Sequence, residues 1–127
     1  MTFLHEGLSI SEAAAATGLS THTLRYYERA GLMLTPVDRA SSTHRRYSTA
    51  DVTWVQFLTR LRSTGMPISA IRRYTEMVRA GESSVEERLD LLLRHRADVL
   101  AQLDEITASL AAIDHKIAVY RQKETHG

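Results

Sequence analysis

Three short segments carry side chains able to grip an anion or read the edge of a base. They are Thr21-His22-Thr23-Leu24-Arg25-Tyr26-Tyr27-Glu28-Arg29, His44-Arg45-Arg46-Tyr47 and Leu61-Arg62. A guanidinium is planar, always charged and presents its N–H groups as a fork, so it matches a phosphate or the O6 and N7 of guanine. A tyrosine hydroxyl on a rigid ring suits a phosphate oxygen. In the first segment Leu24 is the apolar anchor, with Tyr27 nearly one helical turn on. That leaves Thr21, His22, Arg25 and Tyr26 outward near the N-terminal half. The bland alternative is that Arg25 and Glu28 are solvated charges on a core helix.

Other chemistries find little support. There is no nucleophile–base constellation, no phosphate-cradling glycine loop and no carboxylate pair in an apolar setting, so an enzyme is not expected. The chain has no cysteine, which excludes disulfides, thiolate metal sites and thiol redox sensing. The six histidines (5, 22, 44, 95, 115, 126) include no pair four apart suited to zinc. No metal and no cofactor are therefore expected. Residues 1–10 lack the basic start and apolar run of a secretory signal, and no long apolar run follows, so the chain reads as cytoplasmic and without a membrane partner.

Charge is divided along the chain. Residues 1–81 hold ten arginines against six acids, a net of +4, and residues 82–127 hold six bases against nine acids, a net of −3; together they give the overall +1. A basic front and an acidic back place a polyanion partner at the front. Both lysines, Lys116 and Lys123, lie near the end.

The elements that must position these arginines can be read in order. Ser9 and Glu12 form a capping box ahead of the alanine run Ala13–Ala16, and Gly18 supplies the stop. Ser20 caps a second helix through Arg29, which Gly31 terminates. Two short helices around a tight glycine turn make a helix-turn-helix. Residues 34–47 lose helical periodicity and read as a small hairpin or wing. Ser48 and Asp51 open a third helix with Val52, Val55, Leu58 and Leu61 at helical spacing, broken by Gly65 and Pro67. A fourth helix carries Ile68, Ile71, Tyr74 and Val78 on one face and ends at Gly81.

From Val85 the pattern changes. Alternating steps of four and three select Val85, Leu89, Leu92, Arg96, Val99, Leu103, Ile106, Leu110, Ile113, Ile117 and Tyr120, all apolar except Arg96. That is a coiled-coil seam over five heptads. At about 1.5 Å per residue it spans roughly 54 Å, so it overhangs an 80-residue reader and calls for a partner. The chain accordingly divides into a reader, 1–81, and a dimerisation helix with a short tail, 82–127. Arg96 either fixes register against an acid across the seam or marks a local shift of seam.

Taken in series, Thr23-Leu24-Arg25-Tyr26-Tyr27-Glu28, Gly31-Leu32, Arg45-Arg46-Tyr47, Leu61-Arg62, Thr64-Gly65-Met66 and the boundary from Gly81 into the coil resemble the MerR family of bacterial regulators. The resemblance covers essentially the whole chain. It implies a mainly α fold, a winged helix-turn-helix plus a long C-terminal helix forming an antiparallel coiled-coil dimer. It implies double-stranded promoter DNA as the partner, bound by a homodimer at an inverted repeat, with RNA polymerase at the same promoter. Transcription would be controlled by distorting the spacer DNA, a form of indirect readout. The implied DNA-binding residues are Thr21, His22, Arg25, Tyr26 and Tyr27 on the second helix, Arg45 and Arg46 on the wing, and Arg62. The implied dimerisation residues are Leu89, Leu92, Val99, Leu103, Ile106, Leu110, Ile113 and Ile117.

One departure lies in the wing, where Thr43 stands at a position that members commonly fill with glycine. Trp54, Tyr74 and a coil ending near Lys116-Ile117 and Tyr120 resemble a stress- and aldehyde-responsive branch, although this chain lacks cysteine for thiol sensing. A small-molecule effector near Tyr74 and Met77 is weighed against plain core packing there. Two rivals remain at this level: an architectural DNA binder with little sequence preference, and a coiled-coil adaptor that binds no DNA.

Overall fold

A computed structural model describes residues 7–35 and 46–125 in full, and residues 38, 39, 45 and 126 as backbone. Helix α1 spans Ile10–Thr17, α2 Thr21–Arg29, α3 Thr49–Ser63, α4 Ile68–Ala80 and α5 Val85–His126; strands β1, Asp38–Arg39, and β2, Arg45–Arg46, lie between α2 and α3. The chain divides into two compact units, residues 1–89 and 90–127.

Each early helix starts where the sequence supplies a cap. Ser9 and Glu12 make a reciprocal capping box on α1, Ser20 accepts from the Thr23 N–H on α2, and Ser48 with Asp51 repeats the box on α3. The ends are equally specific. At the end of α2 the Leu32 N–H reaches the Tyr27 carbonyl and the Gly31 N–H the Glu28 carbonyl, the paired bonds of a Schellman close. Gly31 sits at φ +75°, a conformation a Cβ would penalise. The same pair of bonds ends α3, from Met66 to Leu61 and Gly65 to Arg62.

The expected wing is present as a two-stranded antiparallel ribbon, with Asp38 opposite Arg46 and Arg39 opposite Arg45. Just beyond it, Tyr47 and Leu8 exchange backbone bonds of 2.7 Å in each direction. This bridge ties the segment before α1 to the base of the wing. Thr43 lies outside the described residues.

The core of the first unit gathers one face of every helix in it. Ala13, Leu24, Leu32, Val55, Leu58 and Ile71 are fully buried, joined by Tyr27, Met33, Tyr47, Leu61, Met66 and Tyr74. Tyr74 stacks on Trp54, with ring centroids 5.8 Å apart and planes within 8°, and meets Phe57 at 5.9 Å. Tyr74 is thus packed in the core. After α4, a short 3-10 turn, Gly81–Ser84, leads into α5. The sequence did not distinguish this turn. The buried Ser84 hydroxyl donates to the carbonyls of Met77 and Gly81, and Arg88 donates to Gly81 at 3.1 Å.

The second unit takes in α5 from Asp90 onward, the greater part of a helix of 42 residues. Leu103, Ile106, Leu110, Ile113, Ile117 and Tyr120 are all exposed, Ile106 by 64%. Among the described residues no helix is long and apolar enough to cross a membrane.

Burial pushes the Tyr74 hydroxyl above the ordinary tyrosine range, with a smaller opposing pull from Arg88. The folded state therefore holds this proton more tightly than the unfolded chain. Its contribution to stability is complete below the ordinary tyrosine pKa and is lost as pH rises through the raised value. Trp54 is the single tryptophan and reports the stack directly. In an alkaline titration followed by its fluorescence, Tyr74→Phe should retain the native signal to higher pH than the wild-type chain. An unchanged alkaline midpoint would remove Tyr74 as the cause.

Candidate nucleic-acid interface

Helix α2 is amphipathic over only nine residues. Leu24 and Tyr27 point into the core, and the opposite face carries His22, Arg25 and Arg29 in solvent, Tyr26 at 39% exposure and Thr21 half-buried. Tyr27 is only 5% exposed, because it falls on the same side as Leu24 and closes the core. Tyr26, one position away, stands beside it with ring centroids 6.3 Å apart.

The arginines expected at the interface differ in their freedom. Neither the Arg25 side chain on α2 nor that of Arg62 in the last turn of α3 makes a hydrogen bond or ion pair among the described residues, and both residues are exposed. Arg45 lies in β2 opposite Arg39, and its side chain is outside the described residues. Arg46 behaves differently from its neighbour. Its side chain is 21% exposed and lies 4.0 Å from the Glu12 carboxylate. Glu12 is held below the usual carboxylate range, chiefly by the backbone N–H and hydroxyl of Ser9 and to a smaller degree by Arg46. A guanidinium shared with a capping carboxylate is a tie between the wing and α1, and less available to a phosphate than an unpaired one.

Two further ties were not visible in the sequence. The Tyr47 hydroxyl donates to the Glu28 carboxylate, joining the base of the wing to α2. Glu28 is therefore half-buried and engaged, not a solvated charge. In addition, the Trp54 indole N–H donates to the Leu32 carbonyl at 2.7 Å, while Arg72 and Arg79 on α4 donate to carbonyls of the same turn. The signal that could have found the arginines is their spacing. Seven residues is about two helical turns, so both lie on one face of α4.

The expected dimerisation residues also divide. Leu89, Leu103, Ile106, Leu110, Ile113 and Ile117 are exposed, whereas Leu92 and Val99 are half-buried and Leu91 is buried. In that stretch the exposed apolar residues are Leu93 and Leu100, each one position along from the expected seam. Arg96 is exposed between them. Among the described residues no group of three or more His, Cys, Asp or Glu side chains is placed to hold a metal ion.

A short capped helix with an unengaged arginine on its outer face, a β-ribbon wing following it and a long C-terminal helix define a helix-turn-helix regulator. Comparison with known proteins agrees. Residues 8–78 match the model of the MerR HTH family regulatory protein, and residues 52–116 match that described as MerR, DNA binding. The chain belongs to the MerR family of helix-turn-helix transcriptional regulators, a class of DNA-binding regulatory proteins and not of enzymes.

An uncharacterised HTH-type transcriptional regulator of Haemophilus influenzae is 33% identical over 92% of this chain and 86% of its own length. The HTH-type transcriptional regulator AdhR of Bacillus subtilis is 38% identical over 70% of this chain and 63% of its own. Among solved structures, HiNmlR, a MerR family regulator lacking the sensor domain and bound to promoter DNA, superposes with a TM-score of 0.84 at 32% identity, covering 94% of both chains.

The Glu28–Tyr47 bond can be tested without DNA. Tyr47→Phe removes one hydrogen bond to a partly buried carboxylate and should cost about 1.5–3 kcal/mol in urea unfolding. A change within a few tenths of a kcal/mol would show that the bond contributes nothing net.

Proposed function

We propose that this chain is a homodimeric regulator that binds an inverted repeat in promoter DNA and controls transcription by distorting the spacer between its half-sites. The observation that carries this reading is the outer face of α2. Thr21, His22, Arg25 and Tyr26 project from one capped helix, and among the described residues nothing competes for the Arg25 fork. The relative captured on promoter DNA supports the same partner. In this assignment Arg25 reads a guanine edge, Tyr26 and Thr21 position the helix on the backbone, and His22 lies against the groove. Arg45 and Arg62 hold phosphates to either side, and Arg46 assists.

Residues 1–81 form the reader and residues 82–127 the dimerisation element. Two copies of α5 pair antiparallel, covering Leu103, Ile106, Leu110, Ile113 and Ile117, each worth roughly 1.5–3 kcal/mol on full burial. Pairing of this kind sets the distance between two copies of α2 and so the spacing of the half-sites. Bending the intervening DNA costs energy that depends on sequences the protein need not touch. RNA polymerase bound to the same promoter then senses the altered spacer, which places the protein in the bacterial cytoplasm.

Gel shift and footprinting on the chain's own upstream region test this reading. The expected result is a protected inverted repeat bound by two chains, with a slope of log K against log salt of roughly −5 for six neutralised phosphates. Arg25→Ala should lose about 1–3 kcal/mol on the specific site and much less on unrelated DNA. Arg62→Ala should weaken both alike and flatten the slope by about 1 per protomer. Equal losses for the two variants would overturn the division of roles. Binding without sequence preference would point to an architectural protein, and no binding at low salt would overturn the function.

A further inference from the structure

The chain leaving α2 is fastened at five consecutive carbonyls, all by side chains of α3 and α4. Ala30 O accepts from Arg72 Nε at 2.9 Å and Gly31 O from Arg79 Nη2 at 3.3 Å. Leu32 O accepts from Trp54 Nε1 at 2.7 Å, Met33 O from Arg79 Nη2, and Leu34 O from Arg79 Nε at 3.2 Å. The end of a helix is where carbonyls lack partners and where the backbone dipole favours a cation. Here those partners come from residues 22 to 48 positions away in sequence. Trp54 is itself stacked on Tyr74, so its donor is held in place by α4.

We propose that Arg79, assisted by Arg72 and Trp54, is a positioning residue that fixes the course of residues 30–34 and thereby the placement of the wing relative to α2. It rests on the DNA-reading assignment above, and Arg79 touches no DNA in it. Three carbonyls are served by one guanidinium, through Nε and Nη2 on a single rigid plane. Lysine, a point charge on a flexible stem, cannot reproduce that fork. The basic front of the chain is therefore not uniformly a phosphate-binding surface: Arg72 and Arg79 spend their charge on the protein's own backbone. Because α4 leads through the 3-10 turn into α5, this clasp also joins the reader's turn to the element that precedes the long helix.

Arg79→Lys, Arg79→Met and Arg72→Lys separate a clasp from a phosphate contact. The probe is a duplex carrying the protected upstream repeat, with a second duplex in which only the flanks beneath the wing are randomised. Amide exchange of the free protein is followed alongside. The expected result is that Arg79→Lys fares no better than Arg79→Met. Both should lose at least tenfold, about 1.4 kcal/mol, on the intact repeat. Both should show an unchanged salt slope, lost flank protection, retained protection beneath α2 and faster exchange across residues 30–35.

Wild-type binding by Arg79→Lys, with a flatter slope for Arg79→Met, would overturn the proposal in favour of a phosphate contact. Wild-type binding and exchange in all variants would overturn it outright. If Arg79→Met does not fold, the two lysine variants decide. If the wild-type protein itself shows no site-selective binding, the DNA-reading assignment fails. Exchange across residues 30–35 then judges the clasp separately, unchanged rates overturning it.

Discussion

A helix of nine residues does not hold its shape alone in water, so α2 depends on what closes it at both ends and along one side. Ser20 satisfies the first turn, Leu24 and Tyr27 bury one face, and the Gly31 turn folds Leu32 beneath the last. The carbonyls beyond are then taken by Trp54, Arg72 and Arg79. Each of these partners comes from a later part of the chain. The reader helix is thus rigid only when α3 and α4 are folded against it, which makes the first compact unit a single cooperative support for one exposed surface.

That surface is small, and its chemistry is set by what remains unengaged. Of the arginines in the first unit, Arg46 leans on Glu12, while Arg72 and Arg79 serve the backbone. The side chains of Arg25 and Arg62 are left free among the described residues, as are those of Arg29, Arg60 and Arg73. Net charge attracts a polyanion at long range, but the unpaired guanidiniums decide where it is gripped. The exposed leucines and isoleucines of α5 impose a second constraint, since so continuous an apolar stripe on a helix is stable in water only when covered. A second copy covers it in the proposed dimer and doubles the number of readers.

Much of this was legible in the sequence because local rules decide it. Caps at Ser9, Ser20 and Ser48, stops at Gly18 and Gly31, and the wing around Arg45-Arg46 fall where residue types require them. Tyr27 is buried beside an exposed Arg25 and Tyr26 because adjacent helical residues point some 100° apart, and an arginine-tyrosine-tyrosine run cannot expose all three side chains. Period alone places Leu92 and Val99 on the seam and does not give their exposure, which is partial. The Glu28–Tyr47 bond and the clasp on residues 30–34 join residues 19 to 48 apart, and no local pattern announces such pairings.

The central claim is that α2 is presented to DNA twice, by two symmetry-related copies. Because the chain has no cysteine, His22→Cys creates a unique attachment point on the outer face of α2 for an iron–EDTA cleavage reagent. On the protein's upstream DNA the account predicts two clusters of cuts in the major groove, related by a dyad and centred on the half-sites. One cluster, or cleavage no more localised than that by free reagent, would contradict it.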